Sequence, residues 1–306
     1  MRCGTSTCIL SDRNARPDCL NEDTAHRHRA GQRWPALAFS CRATPDWRDN
    51  QLRRNEQNMS ETKLASHKMA SDALPVVSQE IAATCLGVKV PQSSFLTETR
   101  IKRINAARYE GQEIAGALHV VCEEDRVLEV GAGLGIVGAV IAVNAKPQKV
   151  LSFEANPELV PVIHALHDMN DLGSQVELRN QVLFAGTDRP QTMAFHLRNS
   201  FLGSSLLNEA GRPSRVVEIP TVDAAEVIAE FKPTVLVMDI EGGELALLEA
   251  LDLSAFRAIV IEFHPEAYEV KGMRRCKTIL REAGFEKVDD VSTRTVWTCT
   301  RNIETS

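Results

Sequence analysis

The chain has no CxxC pair and no cysteine/histidine cluster at zinc spacing, although eight cysteines are scattered along its 306 residues. That pattern excludes a disulfide framework and a metal knuckle and fits reduced thiols. Cys122, Cys276 and Cys299 lie in or beside apolar stretches and read as small buried hydrophobes. No apolar run approaches the roughly 18 residues that a membrane span needs, and the N-terminus has no apolar core of the secretory kind. The expectation is a soluble, cytoplasmic protein. Aromatic residues are only 5%, and no lectin-like or acyl-binding pattern occurs.

Lysine is absent from the first 58 residues, which hold ten Arg and seven acidic residues, a balance of +3. With a net charge of -6 for the whole chain, the remainder carries 25 basic against 34 acidic residues, or -9. An acidic body is a poor match for a phosphate backbone, so no nucleic-acid partner is expected. Residues 1–58 show neither helical nor strand periodicity and hold four of the cysteines. They read as a dispensable extension, followed by a linker over 59–92 and one domain over 93–302.

From Ser93, a helical lead-in carries Ile101, Ile104, Ala107, Ile114, Ala117 and Leu118 near helical spacing. A regular alternation follows: RVLEV (126–130), a helix, KVLSF (149–153), a helix over about 157–169, and VELRN (176–180). After an irregular stretch come a helix near 222–230, TVLVMDI (234–240), a helix, AIVIEF (258–263), a helix over about 273–283, and two late strands. Apolar strands alternating with helices specify an α/β, doubly wound, mostly parallel sheet covered on both faces. Ligands then bind outside the carboxyl ends of the strands.

VLEVGAGLGIVG, Val127 to Gly138, places four glycines directly after the first strand of that alternation. Two readings compete. The dinucleotide fingerprint can be fitted to Gly133, Gly135 and Gly138, with Glu154 at the distance of a ribose-binding acid, and this would make the protein an NAD-dependent oxidoreductase. The strand ends at Val130, however, so the turn begins at Gly131, and acidic-x-Gly-x-Gly-x-Gly fits without slippage as Glu129, Gly131, Gly133 and Gly135. A carboxylate in an apolar strand repels a pyrophosphate and suits a cationic ligand. S-adenosylmethionine has a sulfonium, an ammonium and two ribose hydroxyls but no phosphate. Glu154, ending the next strand in FEANP, can accept hydrogen bonds from both hydroxyls, and Asn156 with Pro157 opens the following helix.

Taken together, VLEVGAGLG, FEANP, VLVMDIEGGE and IVIEFHP resemble the motifs of the FkbM branch of the class I S-adenosylmethionine-dependent methyltransferases, over about residues 108–290. The resemblance implies a Rossmann-like seven-stranded sheet of order 3-2-1-4-5-7-6, the seventh strand antiparallel, and O-methylation of a small molecule or sugar. It also implies that Ala132 and Ala155 line the cofactor with the glycines and Glu154, that Asn180 and Val182 cover the adenine, and that Tyr109 closes over it. Glu129 stands where many members have Asp. A cofactor-binding module without activity is a further alternative.

Methyl transfer to a hydroxyl requires orientation, exclusion of water and a place for the proton. Asp239 and Glu241 end the fourth strand, and Glu262 and His264 the fifth, which points all four to the ligand edge. Asp239 is expected near the cofactor's methionine end or the acceptor, His264 as general base, and Glu262 to orient its neighbours. No metal is assigned, although the four make a plausible oxygen-rich set for Mg²⁺. His164 and His167, three apart on a helix, read as a solvated face. FLGSSLL (201–207) suits an acceptor-pocket loop or a packed hairpin. The fourth strand ends in DIEGG rather than the Asn/Asp-Pro-Pro-aromatic turn of amino-group methylation, and no Pro-Cys serves C5-cytosine methylation. The oligomeric state stays open.

Overall fold

Residues 77–93, all but the last inside the stretch read as linker, form a hairpin of β1 (Val77–Cys85) and β2 (Val88–Ser93). The computed structural model describes residues 76–198, 204–206 and 214–301. The extension over 1–58, the linker up to residue 75, and residues 201–203 and 207 of FLGSSLL lie outside the described residues. Leu86 and Gly87, at φ 44° and 88°, make the two-residue turn whose twist matches paired strands. Ala83, Cys85, Val88 and Val90 are buried by it. The hairpin was hidden in the sequence because its outward positions mix Lys, Thr, Ala and Leu.

Two helices follow, α1 (Glu98–Asn105) and α2 (Gly111–Val120), where one continuous lead-in was expected. The break falls between them, where Ala107 and Glu110 take left-handed φ values of 50° and 49°. The alternation then runs β3 (Arg126–Val130), α3 (Ile136–Asn144), β4 (Lys149–Phe153), α4 (Val160–Met169), β5 (Val176–Arg179). The irregular stretch contains β6 (Val182–Phe184), β7 (Thr192–Leu197) and β8 (Arg215–Asp223), a small sheet of order β6-β8-β7 around Val182, Phe195, Leu197 and Ile219. Pro220 within β8 masked that strand in the sequence. The chain continues through α5 (Ala224–Phe231), β9 (Val235–Met238), α6 (Glu244–Ala250), β10 (Ala258–Glu262), α7 (Pro265–Glu282), β11 (Glu286–Lys287) and β12 (Val296–Thr300).

The main sheet has the order β11-β12-β10-β9-β3-β4-β5, with β12 antiparallel to β10 and β11 and the other ladders parallel. Counting only its own strands, that is 6-7-5-4-1-2-3. Successive strand residues face opposite layers. Val127, Val150, Val235, Val237 and Val260 pack under α2, α3 and α4, whereas Leu128, Leu151, Leu236, Met238 and Ile261 pack under α5, α6 and α7. Both faces are therefore apolar, which is why the strands read as continuous hydrophobic runs.

Two expectations about single residues need correction. His167 is 4% exposed, not part of a solvated face, because it shares the inward stripe of α4 with Ile163 and Leu166; His164 alone is exposed. Cys122 is exposed beside Asp125 and Arg257, while Cys276 and Cys299 are buried. Among the described residues, no helix is long and apolar enough to cross a membrane.

Candidate active site

The turn after β3 is pinned by its neighbours before any ligand arrives. The N–H groups of Gly131 and Ala132 both donate to Phe153 O, at 2.9 and 3.0 Å, and Asp239 N donates to Val130 O at 3.0 Å. Gly131, Gly133 and Gly135 sit at φ 92°, 56° and 77°. At Gly131 a Cβ would lie 1.7 Å from Asp239 O, so the glycine lets the ends of β3 and β9 touch. A Cβ on Gly133 would meet only Glu110 Oε1, at 3.4 Å. Ala132 is buried within the turn.

Glu154 closes the other side. Its Oε2 accepts from Gly133 N and its Oε1 from Asn156 N, both at 2.7 Å, and the residue is 7% exposed. Burial raises its carboxyl to about 7 against the pull of these N–H groups. Each oxygen keeps a lone pair, so the carboxylate can still accept from two hydroxyls. Asn180 Nδ2 donates to Glu154 O at 2.7 Å and Ala155 O at 3.2 Å, which clamps the backbone that carries Glu154. Asn156 Oδ1 accepts from Glu158 N at 2.9 Å. Val182 is buried in the small sheet beside Ala155, and Tyr109 is buried at the break between α1 and α2.

Glu129 lies elsewhere than expected. Its carboxylate, 2% exposed, turns beneath the first turn of α3, where it accepts from Ser152 Oγ and the Gly138 N–H. Burial raises it to about 7. It is therefore a scaffold group and not a direct contact for a cationic ligand. Gly138 is explained by the same geometry, because a Cβ there would lie 2.4 Å from Glu129 Oε2. A helix N-terminus is the natural seat of a pyrophosphate, and here a carboxylate already occupies it. The dinucleotide reading of Gly133, Gly135 and Gly138 loses its physical basis, while a phosphate-free nucleoside held by Glu154 fits.

At the carboxyl ends of β9 and β10, His264 is surrounded by acids. Its Nδ1 lies 2.7 Å from Glu244 Oε1, and its Nε2 lies 3.5 Å from both Asp239 Oδ1 and Glu241 Oε2. Tyr268 Oη accepts from the His264 N–H at 2.7 Å, and Glu244 Oε1 also accepts from Gly242 N at 3.1 Å. Burial alone would lower the imidazole; Glu244, Asp239 and Glu241 outweigh it and raise His264 to about 10. Burial, reinforced by Glu241, Glu113 and Glu244 against His264, raises Asp239 to about 8. Glu262 is raised to about 9 by burial, Asp239 and Glu113, to which it is hydrogen-bonded. Burial and Asp239 also push Glu110 well above the usual carboxylate range.

All four residues expected to be catalytic thus meet at one edge. The sequence left Glu113 and Glu244 without a role. Glu244 is fully buried and closes the DIEGGE motif; its position in that motif was the available signal. Glu113, also buried, had none, since it comes from α2 and meets β10 only in the fold.

A family model described as methyltransferase FkbM domain matches residues 129–287, just over half of the chain. No curated protein matches the sequence. Among solved structures, the chain is similar to precorrin-6y C5,15-methyltransferase from Geobacter metallireducens GS-15, at 13% identity and TM-score 0.37, covering 64% of this chain and 89% of that one. It is also similar to ribosomal protein L11 methylase from Lactobacillus delbrueckii subsp. bulgaricus (14%, 0.39, 63% and 78%). A third similar structure is M. jannaschii TYW2 in complex with AdoMet (14%, 0.36, 76% and 85%).

Proposed function

Since the chain belongs to the FkbM methyltransferase family and uses S-adenosylmethionine, we propose that it methylates a hydroxyl oxygen of a small molecule or sugar at the edge formed by Asp239, Glu241, Glu262 and His264. The observation that carries this reading is the contact between Gly131 and the Asp239 backbone, which sets the acid/histidine group directly beside the cofactor turn. When bound, S-adenosylmethionine supplies an electrophilic methyl group on a sulfonium sulfur. Glu154 holds the ribose, with Asn180 fixing its backbone, and the glycine turn lets the nucleoside approach closely.

The acceptor's hydroxyl proton goes to Asp239. Raised to about 8, this carboxyl is matched to a working pH near neutrality, where an ordinary aspartate is too weak a base. His264 is the positioning partner, because its raised pKa keeps it an imidazolium at that pH; this revises its expected role as base. Glu244 and Tyr268 fix its ring and backbone. The test is a screen of hydroxylated metabolites and sugars for products gaining one methyl group in the presence of enzyme and cofactor. Asp239→Asn should lower kcat by about 10²- to 10⁴-fold, the usual range for a lost general base, while S-adenosylhomocysteine still binds. An Asp239→Asn enzyme with wild-type kcat refutes the assignment.

A further inference from the structure

The arrangement of Asp239, Glu241 and His264 can satisfy more than a proton. One ligand atom from each, Asp239 O, Glu241 O and a His264 nitrogen, lies within 4.8 Å of the others, close enough to share an ion. Asp239 Oδ1 is buried and has no hydrogen-bond partner, although it belongs to an acceptor-only group whose lone pairs are costly to leave bare. It faces His264 Nε2 across a 3.5 Å gap, too long for a hydrogen bond, and Glu241 Oε2 stands at the same 3.5 Å from that nitrogen. Three donors spaced this way fit around a cation with ligand bonds of about 2.1 Å, which put neighbouring ligands roughly 3 to 3.5 Å apart.

Outside the three donors, Glu244 Oε1 engages His264 Nδ1 at 2.7 Å. A second carboxylate on the far ring nitrogen fixes the tautomer that leaves Nε2 as a donor to metal and raises its basicity. Glu244 is itself fully buried and tied to Gly242 N, so the ring cannot swing away. The surroundings are acidic as well: Glu110, Glu113, Glu244 and Glu262 all lie around Asp239, a concentration of carboxyl groups that a dipositive ion would offset.

We propose that Asp239 Oδ1, Glu241 Oε2 and His264 Nε2 bind a divalent transition cation of the Mn²⁺ to Zn²⁺ series, with Glu244 as the positioning residue behind the histidine. The mixed oxygen and imidazole donors select against Ca²⁺ and Mg²⁺, which prefer all-oxygen shells. Three protein ligands leave positions open for water or an acceptor oxygen. Resting on the hydroxyl-methylation reading, the cation would bind the acceptor hydroxyl and lower its pKa, so that the O–H proton leaves to water and the oxygen keeps the electron pair. Binding of the cation displaces the His264 Nε2 proton to solvent, and in the metal-bound enzyme Asp239 acts as a ligand, its role as proton acceptor being that of the metal-free site.

The experiment titrates the chelator-stripped full chain with MnCl₂ and follows the electron paramagnetic resonance signal of free Mn²⁺; calorimetry with ZnCl₂, MgCl₂ and, separately, S-adenosylhomocysteine uses the same protein. One Mn²⁺ bound per chain is expected, with affinity at least tenfold weaker in His264→Gln and Asp239→Asn and about 10- to 100-fold weaker in Glu244→Gln. Circular dichroism and S-adenosylhomocysteine affinity, read from the Glu154 side of the cleft, show whether each variant is folded. No saturable Mn²⁺ or Zn²⁺ binding at ~1 mM, well above typical site affinities, overturns the proposal, as does binding unchanged in folded His264→Gln. Cofactor binding without metal binding sinks this inference alone; metal binding without cofactor binding sinks the methyltransferase reading instead.

Discussion

Replacing Glu154 by glutamine perturbs one atom type at the point where the proposed function has the turn and the nucleoside meet. The native carboxylate accepts from Gly133 N and Asn156 N at 2.7 Å each. Glutamine can accept from only one of them, and its NH₂ then faces the other N–H. Losing one charge-assisted bond costs about 1.5 to 3 kcal/mol, and at about 2 to 4 °C per kcal/mol for a domain of this size the midpoint of thermal unfolding should fall by roughly 3 to 12 °C. Ribose hydroxyls lose an anionic acceptor as well, so S-adenosylhomocysteine should bind about 10- to 100-fold more weakly by calorimetry, or about 1.4 to 2.8 kcal/mol. The pH dependence isolates the carboxylate. Burial holds Glu154 at about 7, and hydroxyl donors favour its ionised form. Wild-type affinity should therefore be full above pH 7 and weaken by up to about tenfold per unit below it, whereas the glutamine variant should lack this component. A variant that loses thermal stability but binds within threefold of wild type, with the same pH profile, refutes the ribose-binding role and leaves Glu154 as scaffold.

Gly131→Ala should yield insoluble protein or protein that no longer binds S-adenosylhomocysteine, because a Cβ there would sit 1.7 Å from the Asp239 carbonyl at φ 92°; a soluble variant with native affinity in calorimetry contradicts the contact. Gly138→Ala should destabilise by displacing the buried Glu129 carboxylate, yet in a Glu129→Ala background the same change should stabilise by up to about 1 kcal/mol, the ordinary helix preference for alanine. Equal effects in the two backgrounds, measured by urea unfolding, would show the two residues to be uncoupled. His167, lowered to about 4 by burial against 6.5 in the unfolded chain, binds its proton more tightly when unfolded. Stability from this residue is full above about pH 6.5 and falls by about 3 kcal/mol as pH drops to 4; His167→Leu should flatten that slope in denaturant titrations, and an unchanged slope assigns it to other groups.

The parts of the fold legible in the sequence were those where one residue type answers one local demand. Gly131, Gly133 and Gly135 all take positive φ, which made the turn readable without any tertiary knowledge. The apolar runs of β3, β4, β9 and β10 were readable because both faces are covered. By contrast, the β1/β2 hairpin and the small β6-β8-β7 sheet have one exposed face each and a proline in β8, so their alternation is diluted. In the site, Asp239 and Glu241 could be read from their place at a strand end. The roles of Glu113 and Glu244 could not, since each is defined by a partner on another element: Glu262 on β10 for Glu113, His264 at the start of α7 for Glu244.

Glu129 shows where a rule already in the sequence was outweighed by a motif. In a strand, residues two apart share a face, so Glu129 must point with Val127, which packs under α3, and away from Leu128 and Val130. The acidic residue of the turn motif is therefore directed at the helix that follows, where the Gly138 N–H and Ser152, its register partner on β4, receive it. The negative charge that disfavours a pyrophosphate acts by occupying the helix N-terminus from beneath, not by facing the ligand. On the proposed reading, the choice of nucleoside then falls to Glu154 and the chemistry to the acids around His264. On that reading the turn and the helix N-terminus behind it disfavour a phosphate, while the acceptor is selected at the carboxyl ends of the paired strands β9 and β10, by Asp239, Glu241 and His264.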